Sequence, residues 1–453
     1  MGCLSHVTRR LSRDGSSGSG PPPEMADAQA DFGQEQAQAS PSSRLTRPAT
    51  RLAGRLVRRG AMTAGSVFVS TYPPRRCGIA TFTQDLAGAT GDHEIAVLHP
   101  SDGPDLYPIE VRHRIRRDVR ADYLRIARAL NRSDAAVVSI QHEFGIWGGD
   151  DGEYVLDFLA ALNKPVVATL HTVPQNPSAG QRRVLTSLID GSAASVVMSR
   201  SAAGLLGRGY GIGPGMLDIV PHGVPNLQPA DRNKVKPKLG LETAPMILSF
   251  GLLGPGKGCE SVIQAMPAVI AAEPTAYYVI LGATHPELLR REGEAYRHRL
   301  MHLAEELGVS GRVLFVDRYV TRSELGTWLT AADIFVTPYP NPDQIVSGTL
   351  AYAMSAGLPI VSTRYIYAVE MLGDGRGRLV ESGSPDALAA SLIEVLLDPE
   401  LRGRLGRLAY EFSRNMVWPA VGARYRRIFE RVAGAADRSV AKAEGVGAGN
   451  ARS

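Results

Sequence analysis

The sequence has few cysteines and no long apolar run. Its 453 residues include three cysteines, Cys3, Cys77 and Cys259, which lie far apart and form no CxxC pair. An odd number without close spacing builds neither a disulfide framework nor a cysteine zinc cluster, so we expect a reducing cytoplasm. The longest apolar runs, such as 135–140 and 277–281, suit buried strands and fall short of the roughly 18 residues that cross a bilayer. We therefore do not expect an integral membrane protein.

Lysine is also scarce, since it supplies six of the 50 basic residues. The net charge of +5 and the pI near 9.1 would suit nucleic acid or an anionic membrane. This excess of arginine is spread over the whole chain, which is more typical of a compositional bias of the genome than of a binding patch. We therefore expect no nucleic-acid partner. Residues 117–132 predict an amphipathic helix with an arginine-rich exterior. That face is either simply solvated or attracted to the anionic inner face of the plasma membrane, as a peripheral protein would be.

From residue 65 onward, short β-branched runs alternate with stretches of helical period. This alternation is typical of βαβ units and parallel sheets. Two such series, separated by a polar segment, predict an α/β protein of two doubly wound, Rossmann-like domains with disordered tails. The predicted boundaries are 1–61 (disordered tail or overextended start), 62–226 (first domain), 227–245 (linker), 246–413 (second domain), 414–433 (a C-terminal helix) and 434–453 (disordered tail).

The first candidate loop, 251–258, follows a predicted strand and precedes a predicted helix. Its glycines let backbone N–H groups approach an anion, and the ammonium of Lys257 next to a helix N-terminus favours phosphate. Gly258 stands where a P-loop needs Ser or Thr, and Cys259 stands at the third glycine of a dinucleotide fingerprint. The loop thus predicts a phosphate site of another kind, and a tight turn with a solvated lysine is the alternative.

The second candidate loop, 344–350, lies between another predicted strand and helix. Small residues at a helix start again present free N–H groups to an anion. Because the chain has no DxD triplet, two such loops in one domain fit a diphosphate held by backbone and one lysine rather than by a metal. Helix capping by Ser347 or Thr349 is the alternative.

Three loops of the first domain carry polar and titratable residues at predicted strand ends. They are 73–81, 141–145 and 171–176. A lone histidine such as His171 is commonly structural, but three such loops facing an anion site across a cleft favour a second substrate site.

Four motifs occur in a fixed order along the chain: ATLHTVP, PHGV, FGLLGPGKG and SGTLAYAMSAGLPIVST. Over about residues 66–430 the chain resembles the retaining glycosyltransferases of family 4, which have the two-domain GT-B fold. The segments QHEFGIWGG and QIVSGTLAY are similar to segments of a bacterial subgroup of mannosyltransferases. The resemblance implies transfer of a hexosyl group, with GDP-mannose as the favoured nucleoside diphosphate sugar. The implied acceptor is a hydroxyl of a glycan, a glycolipid or a small polyol, and no metal or other cofactor is implied.

The resemblance also implies a role for each domain. The second domain would bind the nucleotide sugar, the first the acceptor, and the last helix would cross back onto the first domain. His171 and Lys257 are the implied catalytic residues, and His142 and Glu143 the implied acceptor or sugar contacts. The implied nucleotide-sugar contacts are Gly78, Gly251, Gly254, Gly282, Tyr319, Val320, Gln344, Ser347, Gly348, Thr349, Leu350 and Tyr352.

The chain departs from the family pattern at two places. Gln344 and Tyr352 stand where the family commonly has an acidic pair, and Gly254 stands near its usual arginine. Lys257 and preorganised amides are then left to stabilise the diphosphate leaving group, and front-face attack is favoured over a covalent intermediate. Two alternatives stay open: a sugar phosphorylase on the same scaffold, and a nucleotide-sugar-binding protein with weak activity or none.

Overall fold

The computed structural model describes residues 65–449, except 102, 104–105, 230 and 242–243. The predicted tail or overextended start at 1–61 lies outside these residues. The strands are β1 (Ser66–Ser70), β2 (His93–His99), β3 (Val111–Arg116), β4 (Val137–His142), β5 (Val166–Leu170), β6 (Ala194–Val197), β7 (Leu217–Ile219), β8 (Met246–Phe250), β9 (Tyr277–Leu281), β10 (Val313–Val316), β11 (Ile334–Thr337), β12 (Ile360–Thr363) and β13 (Arg378–Val380). The helices are α1 (Gly78–Thr90), α2 (Arg120–Asn131), α3 (Tyr154–Ala160), α4 (Ala179–Asp190), α5 (Arg200–Tyr210), α6 (Arg232–Val235), α7 (Cys259–Ala272), α8 (Pro286–Glu292), α9 (Ala295–Glu306), α10 (Arg322–Ala331), α11 (Gly348–Ser355), α12 (Ile366–Leu372), α13 (Pro385–Leu397), α14 (Pro399–Ser413) and α15 (Trp418–Gly449).

These strands form two parallel sheets. The first has the order β3-β2-β1-β4-β5-β6-β7, and the second has the order β10-β9-β8-β11-β12-β13. In each sheet the direction of winding reverses beside the first strand of the series, between β1 and β4 and between β8 and β11. The structure therefore confirms two doubly wound α/β sheets. In such sheets the crevice at the reversal, beyond the carboxyl ends of the strands, is where ligands bind.

Both faces of each sheet are covered by helices. On one face of the first sheet, Val69 and Ile140 belong to a buried apolar cluster with Phe158 and Leu188 of α3 and α4. On the other face, Phe68 packs with residues of α1 and α15. Strands buried on both faces are continuously apolar, and β-branched side chains suit them.

Helix α15 lies on the first sheet although it follows the last element of the second. The backbone N–H of Val224 donates to Met416 O at 2.9 Å, and the N–H of Trp418 donates to Val224 O at 3.0 Å, just where α15 begins. Tyr425 and Phe429 then enter the core of the first domain. The helix continues to Gly449, past the start of the tail predicted at 434–453. The alanine, lysine and glutamate of this stretch favour helix, which outweighs its glycine and serine content.

The predicted linker is held to the second sheet by a buried charge. Lys236 is 2% exposed, and its ammonium donates to Asp333 Oδ2 at 2.5 Å and to Ala244 O at 2.8 Å. The same carboxylate oxygen accepts the N–H of Met246, the first residue of β8, at 2.8 Å. Asp333 immediately precedes β11. One carboxylate thus joins the linker to the two strands between which the winding of the second sheet reverses.

We predict that Lys236→Met destabilises the protein, because it removes the buried cation of Asp333 and leaves this carboxylate with the partly exposed Arg232, whose Nη1 lies 3.2 Å from Oδ1. Removing one partner of a buried ion pair costs about 3 kcal/mol or more. The midpoint of urea unfolding, followed by circular dichroism, should fall accordingly. Lys234→Met, at a side chain that is 83% exposed, is the matched control and should leave the midpoint nearly unchanged. Equal midpoints for both variants would contradict this account of the linker.

Candidate functional site

Three loops meet closely at the carboxyl edge of the second sheet. Gly258, at the start of α7, has φ +63°, and a Cβ there would lie 2.0 Å from Pro338 O in the loop after β11. Gly282, after β9, has φ +146°, and a Cβ there would lie 2.0 Å from Gly251 O in the loop after β8. Only glycine allows this approach at these backbone angles. Gly258 and Gly282 therefore allow the ends of neighbouring strands to lie close together.

Lys257 projects from this edge at the end of the 3-10 turn Pro255–Lys257. Its Nζ donates to Tyr339 Oη at 3.0 Å and lies 4.7 Å from the centre of that ring. A Cβ on Gly251 would be 3.5 Å from the same nitrogen. Within the described part of the chain Lys257 forms no ion pair, so no carboxylate neutralises its ammonium.

Tyr339 joins the two candidate loops. Its hydroxyl lies 2.6 Å from Thr349 Oγ1 as well as 3.0 Å from Lys257 Nζ, and its ring stacks on Tyr365 at 5.1 Å. Burial by itself would raise the pKa of Tyr339, but the Lys257 ammonium and the hydrogen bonds to the oxygen hold that pKa below 10. The sequence analysis did not single out this tyrosine, although it lies in a loop directly after a predicted strand.

The start of α11 forms the second half of this edge. Ser347 Oγ accepts the N–H of Leu350 at 3.3 Å and lies 3.2 Å from Thr349 Oγ1. The predicted capping by Ser347 is therefore present, and it engages the Leu350 amide that was expected to bind phosphate. The N–H groups of Gly348 and Thr349 belong to the first turn, where a helix has no acceptor of its own. They remain as the donors that an anion can use.

The loop before α11 is anchored in the first domain. Ile345 is 3% exposed and belongs to an apolar cluster of the first sheet, and its carbonyl accepts Ser199 Oγ at 3.3 Å. Nearby, the Glu370 carboxylate accepts the N–H groups of Arg200 and Ser201, at 2.9 and 2.8 Å, at the start of α5. Gln344 instead donates to Val346 O within its own loop, at 2.9 Å. The two domains are thus fixed to each other beside α11.

His171 follows β5 in the first domain and is 4% exposed. Its Nε2 lies 2.9 Å from Gln141 Oε1, and the ring meets Phe82 edge-on at 4.8 Å. Because the amide oxygen only accepts, Nε2 carries the hydrogen and Nδ1 carries the lone pair. Burial, with smaller contributions from His222 and His142, lowers the pKa of His171 to about 3. The imidazole is therefore neutral at physiological pH.

His222, from the PHGV motif, is a site residue that the sequence analysis did not assign. Its Nδ1 donates to Gly223 O at 2.7 Å, and burial lowers its pKa to about 4. A Cβ on Gly348 would lie 3.0 Å from its Nε2. The histidine of the first domain's last loop thus reaches the first turn of α11, and only the fold reveals this contact.

The expected contacts of His142 and Glu143 with acceptor or sugar are not supported. His142 is 0% exposed, neither of its ring nitrogens has a hydrogen-bond partner in the described part of the chain, and burial lowers its pKa to about 4. Glu143 accepts Thr172 Oγ1 at 2.5 Å and the N–H of Phe144 at 3.1 Å, while burial raises its pKa. The His142 ring is covered by Phe144 of the turn that follows, edge-on at 4.9 Å, whereas Glu143 is half-buried.

The predicted contacts after β10 lie against α1 of the first domain. Tyr319 Oη is 3.3 Å from Thr81 Oγ1, and Val320 packs against the apolar core of the second domain. Tyr352 donates to Asp85 Oδ2 at 3.5 Å. Burial raises the pKa of Asp85 to about 6, although Arg322 at 2.5 Å opposes this. Tyr352, expected at the nucleotide sugar, thus faces another side chain.

The two remaining predicted contacts, Gly78 and Gly254, lie in different environments. Gly78 begins α1, and a Cβ there would meet no atom within 4 Å, so the start of that helix is open. A Cβ on Gly254 would lie 3.7 Å from the Leu288 side chain. No described helix is long and apolar enough to cross a membrane.

Comparison with known proteins identifies the second domain's relatives. Residues 231–412 match the family model described as Glycosyl transferases group 1. The chain is 31% identical over 209 residues to a GDP-mannose-dependent monoacylated alpha-(1-6)-phosphatidylinositol monomannoside mannosyltransferase of Corynebacterium glutamicum, a match that covers 45% of this chain and 51% of the relative. It is 28% identical over 284 residues to a D-inositol 3-phosphate glycosyltransferase of the same species, covering 58% and 66%. The chain thus spans between half and two thirds of these relatives' length.

Solved structures share the whole two-domain architecture. HepE of Anabaena, in complex with UDP and glucose, has a TM-score of 0.66 at 14% identity, covering 81% of this chain and 99% of that one. Sucrose-phosphate synthase of Thermosynechococcus elongatus has a TM-score of 0.66 at 18% identity, covering 82% and 100%. At these identities the likeness concerns the fold. It confirms the predicted GT-B arrangement of two doubly wound domains.

We predict that His142→Leu stabilises the protein at pH 5 relative to pH 7.5. An unfolded histidine takes up a proton below about pH 6.5, whereas buried His142 does so near pH 4. The unfolded state therefore binds more protons in this window, and stability falls as the pH falls. At pH 5 this single group costs about 2 kcal/mol, which leucine removes.

Urea midpoints of the variant and the wild-type chain at both pH values measure this difference. His302→Gln is the surface control, since the His302 side chain is 69% exposed, and it should shift both midpoints alike. A His142→Leu effect that is the same at the two pH values would contradict the prediction.

Proposed function

Because residues 231–412 belong to the group 1 glycosyl transferases, we propose that the chain moves a hexosyl group from a nucleoside diphosphate sugar to a hydroxyl acceptor, with retained configuration. The observation that carries this proposal is the anion site at the carboxyl edge of the second sheet. There the unpaired ammonium of Lys257 is linked through Tyr339 to Thr349 and the free first-turn amides of α11. A diphosphate leaving group needs this combination of fixed cation and backbone donors.

The proposed chemistry proceeds on one face of the sugar. The bond from the anomeric carbon to the diphosphate oxygen breaks, and its electron pair stays on the phosphate. The acceptor oxygen bonds to the same face of that carbon and passes its proton to a diphosphate oxygen. Lys257, Gly348 and Thr349 stabilise the charge that develops on the leaving group, so the proposed step needs no metal.

A covalent sugar–enzyme intermediate is disfavoured by the state of Glu143. Glu143 follows β4 and His171 follows β5, the neighbouring strand of the first sheet. The two carboxylate oxygens of Glu143 already accept hydrogen bonds from Thr172 Oγ1 and from the Phe144 N–H. His171 is neutral, and its Nδ1 lone pair is left free by the hydrogen bond from Nε2. It is suited to accept a hydroxyl of the transferred sugar and to orient it.

The donor that we propose is GDP-mannose, and the acceptor is a glycan, a glycolipid or a small polyol. The GDP-mannose-dependent mannosyltransferases of Corynebacterium glutamicum and Mycolicibacterium smegmatis, 31% and 27% identical over the matched parts, support this donor. A thermal-shift series with GDP, UDP, ADP and their sugars tests it, because a ligand of the native state raises the melting temperature. Selective stabilisation by a uridine or adenine nucleotide would replace the proposed donor. Stabilisation by sugar phosphates alone would favour a phosphorylase.

We predict that Lys257→Ala lowers transfer to the acceptor by about 100-fold or more, through kcat, without lowering the melting temperature by more than a few degrees. The ammonium acts on charge that develops in the transition state, where one such contact is worth several kcal/mol. Release of the nucleoside diphosphate under acceptor saturation measures the effect. Lys234→Ala is the control, since that lysine is exposed on α6. Turnover at the wild-type rate in Lys257→Ala would refute the assigned role.

A further inference from the structure

Arg75 is half-buried, and one nitrogen of its guanidinium group, Nη1, has no hydrogen-bond partner among the described residues. It lies on the loop between β1 and α1, where its N–H donates to Tyr72 O at 3.2 Å and its carbonyl accepts the N–H of Cys77 at 3.1 Å. Nη1 of Arg75 is buried and makes no hydrogen bond within the described chain. A guanidinium stays charged at any physiological pH, and a buried charged donor without an acceptor is costly. Such a nitrogen can donate to an anionic ligand, since the described residues provide no acceptor for it.

The loop that carries Arg75 faces the second domain. The Cζ of Arg76 lies over the Tyr319 ring at 5.7 Å, and Tyr319 Oη is 3.3 Å from Thr81 Oγ1 at the start of α1. Tyr319 follows β10, the neighbour of β9 in the second sheet. The first-domain loop therefore lies along the same carboxyl edge from which Lys257 projects.

His285 locates Arg75 more closely along this edge. Its N–H donates to Leu253 O at 2.8 Å, so it borders the loop that carries Lys257. Burial lowers the pKa of His285; Glu287 opposes this, and the charges of Lys257, Arg75 and Arg290 lower it further. Arg75 and Lys257 thus act on one imidazole from opposite domains.

We propose that Arg75 is the second cation of the diphosphate site and binds the phosphate oxygens of the nucleoside diphosphate from the first domain, opposite Lys257. This inference rests on the proposed function and names a residue of the same site. The planar guanidinium can donate bidentate hydrogen bonds to two phosphate oxygens, which the ammonium of a lysine at that position cannot. A diphosphate held in this way joins the two domains, since one cation comes from each.

The test compares nucleoside diphosphates with monophosphates on the full chain. Calorimetry with GDP, GMP, UDP and UMP gives the ratio of diphosphate to monophosphate affinity for the wild-type protein and its variants. Arg75→Ala should lower diphosphate affinity about 10- to 100-fold, as expected for a charge-assisted hydrogen bond, and should reduce the ratio. Arg75→Lys should recover only part of it. Arg128→Ala, at an exposed arginine of α2, is the control and should keep the wild-type ratio.

Arg75→Gln guards against a folding defect, because it keeps most of the side-chain volume and removes the charge. Its melting temperature without ligand should match the wild-type value while its affinity ratio falls. A wild-type ratio in both Arg75→Gln and Arg75→Ala would overturn the role of Arg75 and leave the proposed function standing. Weaker binding of a phosphorylated acceptor in Arg75→Gln, with diphosphate affinity unchanged, would also overturn it. No binding of any diphosphate by the wild-type chain would overturn both proposals.

Discussion

The candidate site depends on one constraint, which is that every strand of both sheets is parallel. Parallel strands end at the same edge, so loops that are distant in sequence must share a small area there. In the second sheet the loops after β8, β9 and β11 approach so closely that Gly258 and Gly282 leave no room for a Cβ. This packing brings Lys257 to Tyr339, and Tyr339 to the first turn of α11. The anion site is therefore a product of sheet topology, and glycine is what the topology requires.

The lysine on the second-domain side of the cleft and the histidines on the first-domain side differ in charge. On the second domain the ammonium of Lys257 has only hydroxyl and aromatic contacts within the described chain. On the first domain His171 is buried and His222 is half-buried, and both imidazoles are neutral because their pKa values are lowered to about 3 and 4. A chain of hydrogen bonds inside the first domain orients His171. Its Nε2 donates to Gln141 Oε1, and the Gln141 amide nitrogen lies 3.5 Å from Thr169 Oγ1. The Thr169 hydroxyl in turn lies 3.0 Å from Tyr425 Oη of α15. The helix that crosses back from the second domain thus supports the imidazole of the first.

The sequence predicts the fold well because β-branched runs and helical periods are local signals. The same holds for Lys257 and the glycine loops, whose chemistry depends on neighbours along the chain. Tyr339, Lys236 and His222 have no such signal. Their site partners Thr349, Asp333 and Gly348 are 10, 97 and 126 residues away and become neighbours only when the sheets form. His142 shows the opposite case. Its position at a strand end indicated a ligand contact, but the turn that follows buries it completely.

The absence of a carboxylate at positions 344 and 352 fits an electrostatic argument for this cleft. A carboxylate close to a diphosphate raises the energy of the charge that develops there, and must be offset by further cations. Here Gln344 is neutral and bonded within its own loop, Tyr352 donates to Asp85, and Arg322 pairs with that carboxylate at 2.5 Å. The carboxylate that Tyr352 faces, Asp85 of the first domain, is thus already paired with the Arg322 guanidinium of the second domain. A site without the acidic pair therefore needs fewer cations of its own, and one lysine, two amides and the guanidinium that we propose from the first domain form a consistent set.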